Sequence, residues 1–407
     1  MAESTKWVAG IGAYAGQRVS RMVALLGILL ILVAPSPAFA DGTVTTSGGD
    51  DRGRVISVQS MSLSATLANV ATGKRITYVS RDSNNQRIVV SGAVLTPKAV
   101  YLRNNPKGAN KIVAWAHGTA GIADQCAPSA QPNLYPDSTY NNYADTVASY
   151  LTQGWTVTAT DYPGLGTPGV HPYLVGDSEG RAVIDSVRAA RNLNSSLSNL
   201  WVVSGHSQGG QAALFAGEIA DTYGMGLMLK GVVAVAPASN LDLLAPAIPG
   251  TPGQGYLALA VYGYAAVDPT VHPQEILAQP ALDRAGVLDT GCLNEVLAAY
   301  APLTAEQMVI GGVVQDSFVA DLAARGNPAQ QPNTAPVFLV QGGADTTIPP
   351  EMTQQLQQEE CAVNTFGTQL TIYPGQEHDP VLYAAQADVV SYITARFAGQ
   401  PAPTNCP

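Results

Sequence analysis

The chain has 407 residues, of which 46% are hydrophobic and 12% charged, a composition that can bury a large core and excludes a disordered protein. Its net charge of -10 and pI near 4.9 argue against nucleic acid or an anionic membrane surface as the principal partner, since either would favour a basic patch.

The first forty residues read as an export signal. Arg18 and Arg21 precede the apolar run MVALLGILLILVA (22–34), and Ala38-Phe39-Ala40 supplies the small residues of a cleavage site, so cleavage is expected before Asp41. That run is shorter than the roughly 18 to 20 residues of a membrane span, and Pro35 and Pro37 interrupt its continuation. An uncleaved anchor is the weaker alternative, and no later segment is long and apolar enough to span. The expected location is secreted, in the extracellular or cell-envelope space. Cys126, Cys292, Cys361 and Cys406 lack any C-x-x-C spacing, which argues against a metal site and for two disulfides in an exported chain. Three pairings are open.

Short β-branched runs then alternate with helical patterns, the layout of an α/β domain with a mostly parallel sheet. RITYVSRD (75–82) and QRIVVSGAVLTP (86–97) predict an antiparallel pair joined at Ser83-Asn84-Asn85. The runs KIVAWAHG, WTVTATDYPG, LWVVSGHS, LKGVVAVAP, PVFLVQGGAD and QLTIYPGQEH predict the remaining strands. Helices are expected around residues 140–152, 176–192, 208–222 and 380–397. Residues 240–333 are too many for a plain crossover. They hold GYLALAVYGYAA, EILAQPALDRAGV and LNEVLAAYAPL, helix-like segments punctuated by Pro and Gly, and predict an inserted helical cap within a core of residues 41–239 and 334–407. The first segment either faces an apolar substrate or packs on the core.

Gly205-His206-Ser207-Gln208-Gly209 matches G-x-S-x-G between an apolar strand and a helix, the context of a nucleophile elbow. Ser207 is the candidate nucleophile, and the N-H of Gln208 points to where an oxyanion would form, at the positive end of the helix. A serine needs a base, and the base needs an orienting acid. His378 is the one histidine late enough for the chain order serine, acid, histidine, and Asp345 ends the strand-like PVFLVQGGAD. Glu377 and Asp379 adjoin the histidine, and Asp379 has the alternative task of capping a helix that begins at Pro380. A second oxyanion donor is expected in His117-Gly118-Thr119. Thr119 N-H is the choice, Gly118 its neighbouring rival, and His117 a structural residue that holds the loop.

Gly164-Leu165-Gly166-Thr167-Pro168-Gly169 formally matches the dinucleotide fingerprint G-x-G-x-x-G. Pro168 and Pro172 deny it the immediate helix that would hold a pyrophosphate, and Asp161-Tyr162-Pro163-Gly164-Leu165-Gly166 reads instead as a D-x-x-G-x-G turn of α/β-hydrolases.

DQCAPS (124–129), DYPGLG (161–166), GHSQGG (205–210), GGAD (342–345) and EHDP (377–380) together resemble the secretory lipase family of the α/β-hydrolase superfamily, over about residues 60–398. The resemblance implies an α/β-hydrolase fold, a secreted carboxylic-ester hydrolase acting on lipid-like esters, and a Ser207, His378, Asp345 triad. It further implies that Cys126 pairs with Cys292, which leaves Cys361 for Cys406. The expected reaction passes through an acyl-enzyme and needs no metal or organic cofactor; its partner is a small-molecule or lipid ester, with a lipid-water interface as one open setting for the encounter. A short-chain or polymer esterase, a peptidase or acyltransferase on the same fold, and a non-catalytic binding protein are the alternatives.

Overall fold

The computed structural model describes residues 50–136 and 143–406; the expected export signal lies outside them. The first half runs β1 (Val55–Met61), β2 (Ala71–Arg81), β3 (Arg87–Pro97), β4 (Ile112–Ala116), α1 (Tyr143–Thr152), β5 (Thr156–Thr160), α2 (Gly176–Leu193), β6 (Leu200–His206) and α3 (Gln208–Ile219). There follow β7 (Met228–Val235), α4 (Leu241–Ala247), α5 (Gly255–Ala265), α6 (Leu293–Tyr300), α7 (Asp316–Gly326), β8 (Val337–Gly342), α8 (Pro350–Val363), β9 (Thr368–Tyr373) and α9 (Val381–Phe397). Shorter helical turns join them.

The strands form one sheet in the order β1-β2-β3-β5-β4-β6-β7-β8-β9. Pairing is antiparallel from β1 to β5 and parallel from β5 to β9. The predicted hairpin of β2 and β3 is present, and Asp82 fixes its turn by accepting from the N-H groups of Asn84 and Gln86 at 2.9 and 2.8 Å. Parallel strands covered on both faces read as unbroken apolar runs, and every residue of β4, β5 and β8 is buried. Along β4 the two-residue period sends Ile112, Ala114 and Ala116 into a cluster with Val183 and Leu214 of α2 and α3. Val113 and Trp115 enter the opposite cluster, with Tyr150 and Val389 of α1 and α9. The nucleophile candidate's strand, β6, is therefore clamped in the middle of the sheet.

Strand β1 and helix α8 are among the elements that escaped the sequence reading. Strand β1 is an edge strand whose side chains are mostly exposed, so it carries little of the apolar alternation that marks a strand. Helix α8, with the polar run QQLQQEE, buries only Thr353, Leu356 and Glu360.

The connection from β7 to β8 is helical, and α4 to α7 share a third apolar cluster that includes Leu241, Leu257, Tyr264, Val296 and Phe318. EILAQPALDRAGV breaks into short turns at Pro273–Ile276, Gln279–Leu282 and Gly286–Thr290, because Pro280 can start a turn but not continue one. Both disulfides are formed, Cys126–Cys292 and Cys361–Cys406. The first joins the loop after β4 to the start of α6, where Leu293 N-H also donates to the Ala120 carbonyl at 2.9 Å.

Candidate active site

Ser207 stands between β6 and α3 with φ 58° and ψ -122°, the strained backbone of an elbow. Small neighbours make that turn possible: a Cβ on Gly205 would collide with the Gly209 carbonyl, and one on Gly209 with the Ala116 carbonyl. The elbow is tied down by Ser207 N-H donating to Val235 and by Ala238 N-H donating to the Ser207 carbonyl, at 2.9 and 3.1 Å.

Acid and base arrive from the next two strands. Gly343 N-H donates to the Tyr373 carbonyl and Ala344 N-H to that of Gln376, both at 2.8 Å, so the loops after β8 and β9 are zipped together. Gly342 permits this, since a Cβ there would press on the carbonyls of Gln376 and Glu377. As a result His378 Nδ1 lies 2.7 Å from Asp345 Oδ2. Asp345 is buried, and it accepts further bonds from Gln341 Nε2 (3.0 Å), Thr347 N-H (2.8 Å) and Ile348 N-H (2.9 Å). Burial alone would raise its carboxyl. The His378 hydrogen bond and charge, with the Ile348 and Thr347 N-H groups, outweigh that and hold it below the usual carboxylate range.

His378 meets the elbow through His206: the two rings lie 4.6 Å apart, and His206 Nε2 is 3.0 Å from the His378 carbonyl. Among the described residues, Ser207 and His378 form no direct hydrogen bond, a link that often tightens only when substrate binds. Glu377 and Asp379 stay outside the Asp345–His378 pair. Pro380 is already in helical geometry ahead of α9, and the Asp379 carbonyl accepts from Leu382 N-H at 3.1 Å.

The loop after β4 separates the two oxyanion candidates there. Gly118 N-H donates to Tyr143 Oη at 3.0 Å, whereas the N-H groups of Thr119 and Gln208 donate to no acceptor among the described residues. Thr119 is also held by its side chain, Oγ1 lying 2.8 Å from Tyr173 Oη. His117 is fully buried, with Nδ1 2.7 Å from the Gly118 carbonyl and its own carbonyl accepting from Tyr162 Oη at 2.9 Å. Burial lowers its pKa.

The side chain of Gln208 is locked behind the elbow. His171 Nδ1 lies 2.9 Å from the Pro163 carbonyl, so that nitrogen carries the proton, and burial keeps the ring neutral with a pKa near 3. His171 Nε2 then accepts one hydrogen of the Gln208 amide at 2.8 Å, while Glu179 Oε1 accepts the other at 2.7 Å. Burial pushes Glu179 up to about 8. The preceding glycine-rich turn reaches a helix only at Gly176, and its Asp161 accepts from Ser91 and Ser129. Tyr143, His171, Glu179 and Gln341 had no signal in the sequence reading. His206 did offer one, as a buried polar ring at a strand end that must find partners.

Ser207 opens on a cleft with about 570 Å³ of free space, counting its solvent-open mouth. Its walls are largely apolar, from Leu241, Leu244 and Ile248 of and after α4, Tyr256 and Ala260 of α5, and Leu322 of α7.

The sheet, the elbow and the acid-histidine pair define an α/β-hydrolase. The secretory lipase profile matches residues 139–405, and the chain belongs to the secretory lipase family. It is 23% identical over 360 residues to lipase A of Moesziomyces aphidis, covering 83% of this chain and 74% of that one. A secreted triacylglycerol lipase of Malassezia globosa is also 23% identical, over 82% of this chain and 73% of its own. Among solved structures, closed Candida antarctica lipase A superposes with a TM-score of 0.72 at 20% identity, covering 87% of this chain and 84% of that one. The rice cell wall degrading esterase LipA of Xanthomonas oryzae gives 0.68 at 19%, over 86% and 100%. The protein is a carboxylic-ester hydrolase of this secretory family, and no helix among the described residues is long and apolar enough to cross a membrane.

Proposed function

We propose that the protein is an exported lipase that cleaves esters of apolar acyl groups, with Ser207, His378 and Asp345 as its triad. The observation that carries this reading is the His378–Asp345 bond, set beside a strained serine that opens on an apolar cleft. Ser207 attacks the ester carbonyl as His378 takes its proton, and Asp345 holds the imidazole and balances its charge. Thr119 and Gln208 N-H groups bind the oxyanion; Gly118 N-H is already engaged by Tyr143, which favours Thr119. His378 then protonates the departing alcohol, and water repeats the sequence on the acyl-enzyme. Residues 1–40 act as the export leader, and residues 240–333 form a cap whose apolar walls take the acyl chain.

The test is a ladder of p-nitrophenyl esters from acetyl to palmitoyl, run on the secreted protein and on Ser207→Ala. Turnover of long acyl esters that vanishes in the variant is the expected result. Activity limited to short esters keeps the triad but makes the protein a short-chain esterase, and equal rates in both proteins refute Ser207 as nucleophile.

A further inference from the structure

A hydrogen-bonded chain behind the candidate triad links the loops that carry its parts. Gly118 N-H donates to Tyr143 Oη at 3.0 Å, Tyr143 Oη lies 2.9 Å from His206 Nδ1, and His206 Nε2 lies 3.0 Å from the His378 carbonyl. Acceptor chemistry fixes the protons. A carbonyl oxygen only accepts, so His206 Nε2 carries hydrogen and donates to His378. The ring is buried and neutral, its pKa held near 3 first by burial and then by the neighbouring His378. Its Nδ1 therefore accepts, and the Tyr143 hydroxyl must donate to it while accepting from Gly118.

Packing holds this chain at one length. The Tyr143 ring stands edge-on to Trp115 at 5.2 Å and to Tyr135 at 5.7 Å, and it leaves no room for a side chain at position 118. A Cβ on Gly118 would run into the Tyr143 hydroxyl and come within 3.3 Å of Ser207 Cβ. The chain thus spans from the loop of one proposed oxyanion donor, past the residue before the nucleophile, to the backbone of the proposed base.

We infer that Tyr143 and His206 are positioning residues that fix the oxyanion loop and the backbone of His378 relative to each other. This rests on the triad reading above. Neither residue supplies a reacting atom, although the His206 ring packs on that of His378 at 4.6 Å; they act through Gly118, Thr119 and His378. A displacement of about 1 Å in such groups costs up to roughly a hundredfold in rate.

The experiment measures kcat and KM for p-nitrophenyl butyrate in Tyr143→Phe, His206→Phe, the double variant and His206→Gln. Competent serine is counted by fluorophosphonate labelling, and folding is checked by circular dichroism. Each Phe change should lower kcat about 10- to 100-fold with KM within about threefold, and the double variant should be no slower than the slower single, because either break releases the same linkage. His206→Gln, which restores a donor toward the His378 carbonyl, should regain a substantial part of kcat. Losses that multiply in the double variant, or that lie in KM or in the labelled fraction, overturn the coupling. Tyr143→Phe removes one oxygen, so full kcat in that variant also overturns it even if the histidine variants do not fold. Ser207→Ala is run beside them. Activity there refutes the triad reading itself, whereas an inert Ser207→Ala with wild-type rates in the Tyr143 and His206 variants refutes the coupling alone.

Discussion

Replacing Asp345 by Asn changes one atom at the centre of the proposed mechanism, and the surroundings dictate how the amide must sit. Thr347 and Ile348 N-H both donate to Oδ1, so the amide oxygen stays there and the NH2 group turns toward His378. Facing a donor, His378 Nδ1 must accept, and its proton moves to Nε2, where it can no longer take the proton of Ser207. The wrong tautomer in such a triad lowers kcat about 10⁴-fold, or about 5 kcal/mol of transition-state stabilisation. Gln341 Nε2 keeps the Ile348 and Gly342 carbonyls at 3.0 and 3.2 Å, so the fold should lose little. Stopped-flow hydrolysis of p-nitrophenyl butyrate, with a thermal melt as control, reads both effects. A folded variant that keeps more than about a tenth of the wild-type kcat would refute the assignment of Asp345.

Ala260 lines the cleft on α5, and Ala260→Phe should shorten the space for the acyl chain. Each excluded methylene forfeits about 0.8 kcal/mol, roughly fourfold in kcat/KM, so octanoyl and longer esters should fall progressively while acetyl is spared; a uniform fall would place the acyl chain elsewhere. Stability should vary with pH in a defined sense. Burial pushes Glu179, Glu218 and Glu360 up to about 8, so the folded state keeps protons that the unfolded state releases above about 4.5, and their stabilisation is lost as pH rises through 8. Burial holds His171 and His206 near 3, so their contribution is present above about 6.5 and lost as pH falls through 3. Melting temperature should peak between about pH 4.5 and 6.5 and decline toward pH 8.5, less steeply in Glu179→Gln; a rise over that alkaline range would refute the burial argument.

Much of the fold was legible because its determinants are local. The elbow announces itself through glycines whose Cβ atoms would strike Gly209 and Ala116, and the buried parallel strands through runs such as IVAWA and VFLVQG. Asp345 and His378 were legible from chain order, and their contact follows from the zipped ends of β8 and β9. What could not be read is the polar support. Tyr143 and His206 are 63 positions apart, and Gln208, His171 and Glu179 converge from separate loops and helices. Such meetings are set by the packing of whole layers, which has no short-range signature. Edge strand β1 and the polar helix α8 escaped for the opposite reason, since both bury too little to impose a period.

The two disulfides divide the folded chain into covalent rings. The first ring, closed between Cys126 and Cys292, carries Ser207; the second, between Cys361 and Cys406, carries His378; Asp345 lies on the open stretch between them. A protease nick inside either ring would release nothing, because the ends stay joined through sulfur. Only a cut between residues 293 and 360 would part the half that bears the serine from the half that bears the histidine. From then on non-covalent strand pairing, β7 with β8 for a cut before Val337 or β8 with β9 for one after Gly342, would have to keep serine and histidine in register without a covalent tether.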